Sequence, residues 1–332
     1  MEGQIKSVVH CEMRISYGPA GGHDAACTSS APSAVALGFF DGVHLGHRRI
    51  LDALVSRGRE LGLRTCVYTF VNQPAGVFSA DGNKPLLLCS NRLKAEYIAE
   101  AGVGELCFDW FDRKLSRLAP EEFVRRILVE KYRVRLVCAG ENYSFGAGGR
   151  GNAELLRALG EANGFETLIL PPLDAELGGC SVTVSSTVLR QLTAAGQFRE
   201  YARLAGHPFR LEGTVVHGRE VGRTMGFPTA NILPPRGMAL PAAGVYATRT
   251  AIRGTDLIFK SITNVGRNPT FKDTDGSVTV ETHLLDHDGA LYGAELRLDF
   301  LERMRGETVF SGPGALRAQL TSDARKRAQM EL

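Results

Sequence analysis

The sequence predicts an α/β domain built on a parallel sheet, followed by a small antiparallel β-barrel that ends in a helix. Three observations predict this. Length 332 at roughly 100–200 residues per domain calls for about two domains. Up to about residue 206, short β-branched runs alternate with amphipathic stretches, the rhythm of a parallel sheet wrapped by helices. Beyond it, short alternating runs are separated by glycine and proline turns with no long helix until Pro313, which favours a small barrel. The expected domains are 1–206 and 207–332, with the boundary in L-A-G-H-P-F-R.

In the first part, residues 34–39 read as a strand that flows through F-D-G-V-H-L-G-H into a helix over 48–61. Ile50, Leu51, Leu54, Val55 and Leu61 recur there at helical spacing. Residues 64–70 give a second strand, 91–101 a helix with Leu93, Tyr97, Ile98 and Ala101 on one face, and E-L-C-F-D a third strand. Pro120 with Glu121 and Glu122 makes a first helical turn, since proline lacks an N–H that would be unpaired there and carboxylates favour the positive dipole end. Residues 134–139, 152–163 and a strand ending at Leu170 complete the series. In the second part the strand runs lie within 210–216, 244–252, 257–265, 277–285 and 294–302. Leu316, Leu320 and Ala324 then mark the face of a terminal helix, with Arg325, Lys326 and Arg327 near its negative end.

Composition removes several classes. With 44% hydrophobic and 23% charged residues the chain can bury enough apolar surface to fold, which excludes disorder. No apolar run approaches the ~18 residues that span a bilayer. The N-terminus lacks the basic-then-apolar order of a signal peptide, so the expected location is cytoplasmic, with no membrane partner. Seven cysteines, none in a C-x-x-C pair, encode neither a disulfide framework nor a zinc site. A net charge of +3 suits small anionic substrates and falls short of a nucleic-acid footprint. Oligomeric state is not encoded.

Gly38, Phe39, Phe40, Asp41, Gly42, Val43, His44, Leu45, Gly46 and His47 stand between a strand and a helix and contain H-x-G-H. A helix N-terminus with free N–H groups and two imidazoles can hold a nucleotide triphosphate and stabilise charge at its α-phosphate. The alternative is an ordinary turn with surface histidines. Ser185, Ser186, Thr187 and Arg190 repeat the arrangement at another helix start, where they read equally as a phosphate site or as a helix cap.

Together these segments resemble the H-x-G-H nucleotidyltransferases with their Rossmann-like fold. They are closest to the N-terminal module of the prokaryotic bifunctional riboflavin kinase/FAD synthetase family. The resemblance rests on G-F-F-D-G-V-H-L-G-H at 38–47, L-A-P-E-E-F at 118–123, A-G-E-N-Y-S-F-G at 139–146, G-R-G-N at 149–152 and V-S-S-T-V-L-R at 184–190. It implies transfer of AMP from ATP to FMN with release of pyrophosphate. It also implies that Gly38, Phe39, Phe40, Asp41, His44, His47, Asn142, Ser185, Ser186, Thr187 and Arg190 bind the nucleotide, and that His44, His47 and Arg190 carry the catalysis. One segment departs: the family's T-F-D-x-H-P is T-F-V-N-Q-P here, so Val71 and Gln73 replace an aspartate and a histidine. That change points to a competing reading in which adenylyl transfer is weakened.

G-x-x-x-G-R-T-M-G-F-P-T-A-N at 218–231 fails as a P-loop, with three residues between Gly218 and Gly222 and Arg223 in place of lysine. In extended chain Thr229 and Asn231 project to one face, as two oxygen ligands of Mg²⁺ require, though P-T-A-N alone also reads as a turn entering a strand. If Val278, Val280, Thr282 and Leu284 form one face of a strand, Glu281 and His283 share the other. With P-A-A-G-V-Y-A at 241–247, N-V-G-R-N-P-T-F at 264–271, V-E-T-H-L-L-D at 280–286 and L-Y-G at 291–293, this half is similar to the riboflavin kinase module. The resemblance implies a nucleotide site at Gly218, Gly222, Arg223, Thr229 and Asn231, with Mg²⁺ held by Thr229 and Asn231. It further implies a flavin site at Asn264, Gly266, Arg267 and Glu281, with Glu281 as base. The expected activities are riboflavin to FMN and FMN to FAD, with ATP as co-substrate. A flavin- or nucleotide-binding regulator without turnover is the alternative from another class.

Overall fold

The computed structural model describes residues 13–18, 31–78, 84–218, 226–267 and 278–331. The chain forms two compact units, the first from Met1–Pro85 and Asn91–Asp174, the second from Leu86–Ser90 and Ala175–Leu332.

The first unit holds strands β1 (Arg14–Tyr17), β2 (Ser33–Leu37), β3 (Arg64–Phe70), β4 (Glu105–Asp109), β5 (Val134–Gly140) and β6 (Glu166–Leu170). They form one parallel sheet in the order β1-β4-β3-β2-β5-β6. Every residue of β2 is buried, as expected of a central parallel strand covered on both faces. Its helices are α1 (Leu45–Glu60), α2 (Ala75–Phe78), α3 (Asn91–Glu100), α4 (Pro120–Phe123) and α5 (Ala153–Asn163). Helix α1 buries Ile50, Leu51 and Leu54 as their spacing requires, but Leu61 is the exposed C-cap. The chain turns there because Gly62 adopts φ +64°. Helix α4 opens on Pro120 as predicted and runs on as wide π-turns over Val124–Lys131, the Tyr132 N–H reaching the Ile127 carbonyl. Asn152 caps α5, its side chain accepting the Leu155 N–H at 2.9 Å.

Three of the cysteines that lie in predicted strands, Cys66, Cys107 and Cys138, are buried free thiols in this sheet. The chain winds outward from β2 through β3 to β4 on one side and places β5 and β6 on the other. The topological switch point therefore lies between β2 and β5, and loops at their carboxyl ends flank the crevice where ligands of such sheets bind.

A two-stranded sheet, β7 (Asp174–Leu177) with β8 (Cys180–Thr183), precedes helices α6 (Ser186–Ala195) and α7 (Phe198–Ala205). The barrel comprises β9 (Phe209–Val216), β10 (Ala230–Leu233), β11 (Gly244–Ile252), β12 (Ile258–Arg267), β13 (Val278–Leu284) and β14 (Glu295–Arg305). It closes in the order β10-β13-β12-β11-β14-β9 with every pairing antiparallel. Five of these strands cover the predicted runs, and the sixth is the short β10 entered from P-T-A-N. Closure pairs both edges of the sheet. The interior is half apolar and half hydroxylic. Phe209, Leu211, Leu298 and Phe300 fill one side, while Thr248, Thr250, Ser261, Thr263 and Thr282, all fully buried, bond to one another at 2.6–3.0 Å on the other.

Helix α7 packs Phe198 against Phe209, Tyr246 and Phe300, and so stays with the barrel's unit. The terminal helix α8 (Pro313–Gln329) presents Leu316, Leu320 and Ala324 only half-buried; its buried residues are Asp323 and Arg327. Arg327 therefore does more than face the helix dipole. Its guanidinium donates from Nε and Nη2 to the Thr248 carbonyl at 3.1 and 2.9 Å.

Candidate active sites

In the first unit, β2 hands the chain to α1 through a loop held in rare backbone conformations. Phe40 has φ +53°, Gly42 φ +74° and Val43 φ +34°. A β-branched residue at positive φ costs free energy, and such positions cluster at functional sites. Thr69 on β3 donates its hydroxyl to the Phe39 carbonyl at 3.1 Å and so fixes the loop from the next strand. Asp41 and His44 are buried.

His44 is the N-cap of α1, and its Nδ1 accepts the His47 backbone N–H at 3.3 Å. An accepting Nδ1 leaves the proton of neutral His44 on Nε2, which makes Nε2 the donor nitrogen of that ring. The His44 and His47 rings stack at 3.7 Å and 17°. Burial, then the charges of His44 and Lys94, hold the His47 imidazole well below its ordinary value of 6.5, so it is neutral at pH 7. Its buried Nδ1 has no hydrogen-bond partner among the described residues.

Asn142 lies exposed just after β5, across the switch point. Two of the motifs meet beside it: Gly146, at φ +70°, packs so closely on Pro120 that a Cβ would stand 2.7 Å from it, and the Ala147 N–H bonds the Leu118 carbonyl. The departing segment follows β3. There Asn72 exchanges two bonds with the Phe111 backbone at 2.8 and 2.9 Å, and the Asn91 amide donates to the Val71 carbonyl.

Two residues at this site were not singled out from sequence. Lys94 is 2% exposed, with its ammonium 4.0 Å from the Phe39 ring centroid, and Asp109 ends β4 accepting the Tyr68 hydroxyl at 2.8 Å. Lys94 sits on the apolar face of α3 directly after Leu93, so a charged residue on a buried stripe was the available signal.

Ser185, Ser186, Thr187 and Arg190 belong to the second unit. Ser185 is the N-cap of α6, its Oγ accepting the Val188 N–H at 3.4 Å, and Arg190 donates its Nε to the Leu86 carbonyl at 2.6 Å.

On the barrel, register does what sequence spacing cannot. Asn231 pairs with Glu281, and Glu281 pairs with Asn264, so one rung across β10, β13 and β12 reads amide, carboxylate, amide. Directly opposed residues share a face, with Cβ atoms about 4.5–5.5 Å apart. All three are half-buried on the outside, whereas Val280, Thr282 and Leu284 point inward, as predicted for this strand.

Gly218 backs the Asn231 amide: a Cβ there would lie 1.9 Å from its Nδ2. A Cβ on Gly266 would meet Glu307 Oε1 at 2.8 Å and Asn264 Nδ2 at 3.4 Å, which adds Glu307 to the cluster. No local sequence feature announces Glu307. Gly222 and Arg223 lie outside the described residues, and Arg267 is the last residue of β12. Thr229, Pro228 and Ala230 border a cavity of about 290 Å³ lined also by Val215, Leu284 and residues 287–292; Tyr292 in that wall stacks on His217 at 4.0 Å.

A parallel sheet with a paired-histidine loop at its switch point, joined to a closed barrel carrying an amide–carboxylate rung, defines a two-module nucleotide-dependent transferase. The FAD synthetase family matches residues 27–188 and the riboflavin kinase family matches 205–330. The chain is 36% identical over 298 residues to the bifunctional riboflavin kinase/FMN adenylyltransferase of Escherichia coli (strain K12), covering 89% of this chain and 92% of that protein. It is 36% identical over 289 residues to the protein of the same description from Listeria monocytogenes, covering 87% and 89%. It belongs to the bifunctional riboflavin kinase/FMN adenylyltransferase family. Among solved structures, a chain described as a macrolide-efflux protein from Streptococcus pneumoniae matches with a TM-score of 0.81 at 29% identity, over 91% of this chain and 96% of that one. Among the described residues no helix is long and apolar enough to cross a membrane.

Proposed function

We propose that the chain phosphorylates riboflavin to FMN on its barrel and adenylylates FMN to FAD on its α/β module, as a cytoplasmic enzyme with its functional boundary near residue 206. The observation that carries the reading is the Asn231–Glu281–Asn264 rung, which sets one carboxylate between two amides on the kinase module.

The two reactions ask for different groups. Riboflavin's 5′-hydroxyl must lose a proton as its oxygen attacks the γ-phosphorus and the bond to ADP breaks. Glu281 accepts that proton. Asn264, Gly266 and Arg267 hold the flavin, and Gly218, Gly222 and Arg223 cover the nucleotide phosphates, with the cavity beside Thr229 taking the rest of the nucleotide. The Thr229 hydroxyl and the Asn231 amide are neutral hard donors, and the amide occupies the space that a Cβ at Gly218 would need. That pair fits Mg²⁺, which takes its remaining ligands from water and phosphate. When bound, the ion neutralises charge on the β- and γ-phosphates.

FMN already carries an anionic phosphate, so adenylyl transfer needs no base. An FMN oxygen attacks the α-phosphorus of ATP, and the bond to pyrophosphate breaks. His44 donates from Nε2 to the phosphate oxygens and His47 adds a second imidazole against it. Gly38, Phe39, Phe40, Asp41 and Asn142 complete the nucleotide site on this unit, and the family resemblance assigns Ser185, Ser186, Thr187 and Arg190, at the start of α6, to nucleotide binding as well.

The test is to incubate purified protein with riboflavin, ATP and Mg²⁺ and resolve the products by chromatography. FMN followed by FAD is expected. Val71 and Gln73, in place of the family's aspartate and histidine, favour a second reading as a kinase with a weakened transferase; FMN without FAD selects it, and neither product overturns both.

A further inference from the structure

The two kinase motifs are tied together by a side chain that neither role accounts for. His283 lies two residues beyond Glu281 on the same face of β13, and its Nδ1 is 2.8 Å from the Pro228 carbonyl. Its ring also meets the Phe227 ring edge-on, 5.4 Å between centroids at 68°. Both contacts fall on the two residues that lead into Thr229.

The backbone explains why a side chain is used. The β10–β13 ladder pairs Ile232 with Val280, Asn231 with Glu281 and Ala230 with Thr282, and its register ends there. The next position on β13 is His283. Pro228 has no N–H to offer a ladder, so its carbonyl is the group left to receive a bond. A carbonyl only accepts; Nδ1 of His283 therefore carries the proton and donates. The imidazole thus extends the pairing past the last backbone rung and fixes the chain on which Thr229 stands, one residue after Pro228 and two before Asn231.

We propose that His283 is a positioning residue for phosphoryl transfer, holding the Thr229–Asn231 segment in register with Glu281 through its Nδ1–H bond to Pro228. This rests on the kinase reading above.

The test uses the full chain with His283→Ala, His283→Asn and His283→Gln. The asparagine amide reaches where Nδ1 sits, whereas glutamine extends to the position of Nε2. Initial rates of FMN formation are measured against MgATP and against riboflavin, with FAD formation from added FMN and thermal unfolding followed in each variant. The expected result for His283→Ala and His283→Gln is a KM for MgATP raised about fivefold to tenfold, the loss of one positioning hydrogen bond, with KM for riboflavin unchanged. His283→Asn should return to within about twofold of the parent. FAD formation and unfolding temperature should hold across the series. Equal behaviour of the asparagine and glutamine variants, or parent-like KM for MgATP in His283→Ala, overturns the proposal, as does a loss that tracks unfolding. Absence of FMN formation in the parent chain overturns the kinase reading instead.

Discussion

Asn231 and Glu281 stand directly opposite each other across β10 and β13, although fifty residues separate them in the chain. The pairing puts the candidate base beside a candidate metal ligand, so the nucleotide and the proton acceptor share one rung. Glu281→Gln keeps the shape and the hydrogen-bonding reach but removes the basic lone pair. FMN formation should fall by about two orders of magnitude or more, the usual contribution of a positioned base. FAD synthesis from added FMN should persist in the same preparation. Loss of both activities would contradict separate sites.

Gly218→Ala tests the cradle behind Asn231. A Cβ at 218 would stand 1.9 Å from the amide nitrogen and 2.4 Å from its carbon, so Asn231 must move. The expected outcome is a KM for MgATP raised about tenfold or more with a lower kcat for FMN formation. Steady-state kinetics at several Mg²⁺ concentrations check it; unchanged kinetics would place the Asn231 amide outside the site.

Much of the architecture was legible because it is locally encoded. Strands β3 and β4 fall on R-T-C-V-Y-T-F and E-L-C-F-D, and Pro120 and Asn152 open helices where the chemistry of first turns and caps says they should. The edge strand β1 was not foreseen: Arg14–Tyr17 is four residues long and mostly exposed, too short for a periodic signal. The candidate residues were named from motifs, yet the rung that aligns Asn231, Glu281 and Asn264 depends on register between strands far apart in sequence. The same holds for Glu307 over Gly266. Lys94 escaped because periodicity assigns buried stripes to apolar side chains, and a lysine there is defined by the Phe39 ring that covers it.

His47→Gln separates catalysis from stability in the first module. FAD synthesis should fall about 100-fold, as for loss of one group that stabilises developing phosphate charge, while FMN formation is spared. The stability effect has a definite sign. His47 is held below 6.5 in the folded chain, so between that folded value and 6.5 the unfolded state binds more protons. The stabilisation from a neutral His47 is then complete above pH 6.5 and is lost as pH falls toward the folded value. The parent should lose more stability between pH 7 and pH 5 than His47→Gln does. Urea unfolding at several pH values measures it, and equal slopes would show that His47 is not the titrating group.

Arg327→Ala decides whether the basic end of α8 is a surface feature. A dipole effect alone would make Arg325, Lys326 and Arg327 nearly equivalent, each worth a few tenths of a kcal/mol. Instead Arg327 is 1% exposed and sends two N–H groups to the Thr248 carbonyl, on the strand whose hydroxyl joins the buried network of Ser261 and Thr263. A hydrogen bond from a charged donor contributes about 1.5–3 kcal/mol, the two N–H groups here share one acceptor and so count as little more than one bond, and the truncation also leaves a gap beneath the helix. Arg327→Ala should therefore destabilise the barrel by roughly 2–4 kcal/mol. Arg325→Ala, at an exposed position, should stay within about 0.5 kcal/mol of the parent. Denaturant unfolding of both variants gives the comparison. Equal, small losses would return Arg327 to the dipole reading, whereas the expected gap makes α8 a strut of the barrel, held in part by the buried Arg327 guanidinium.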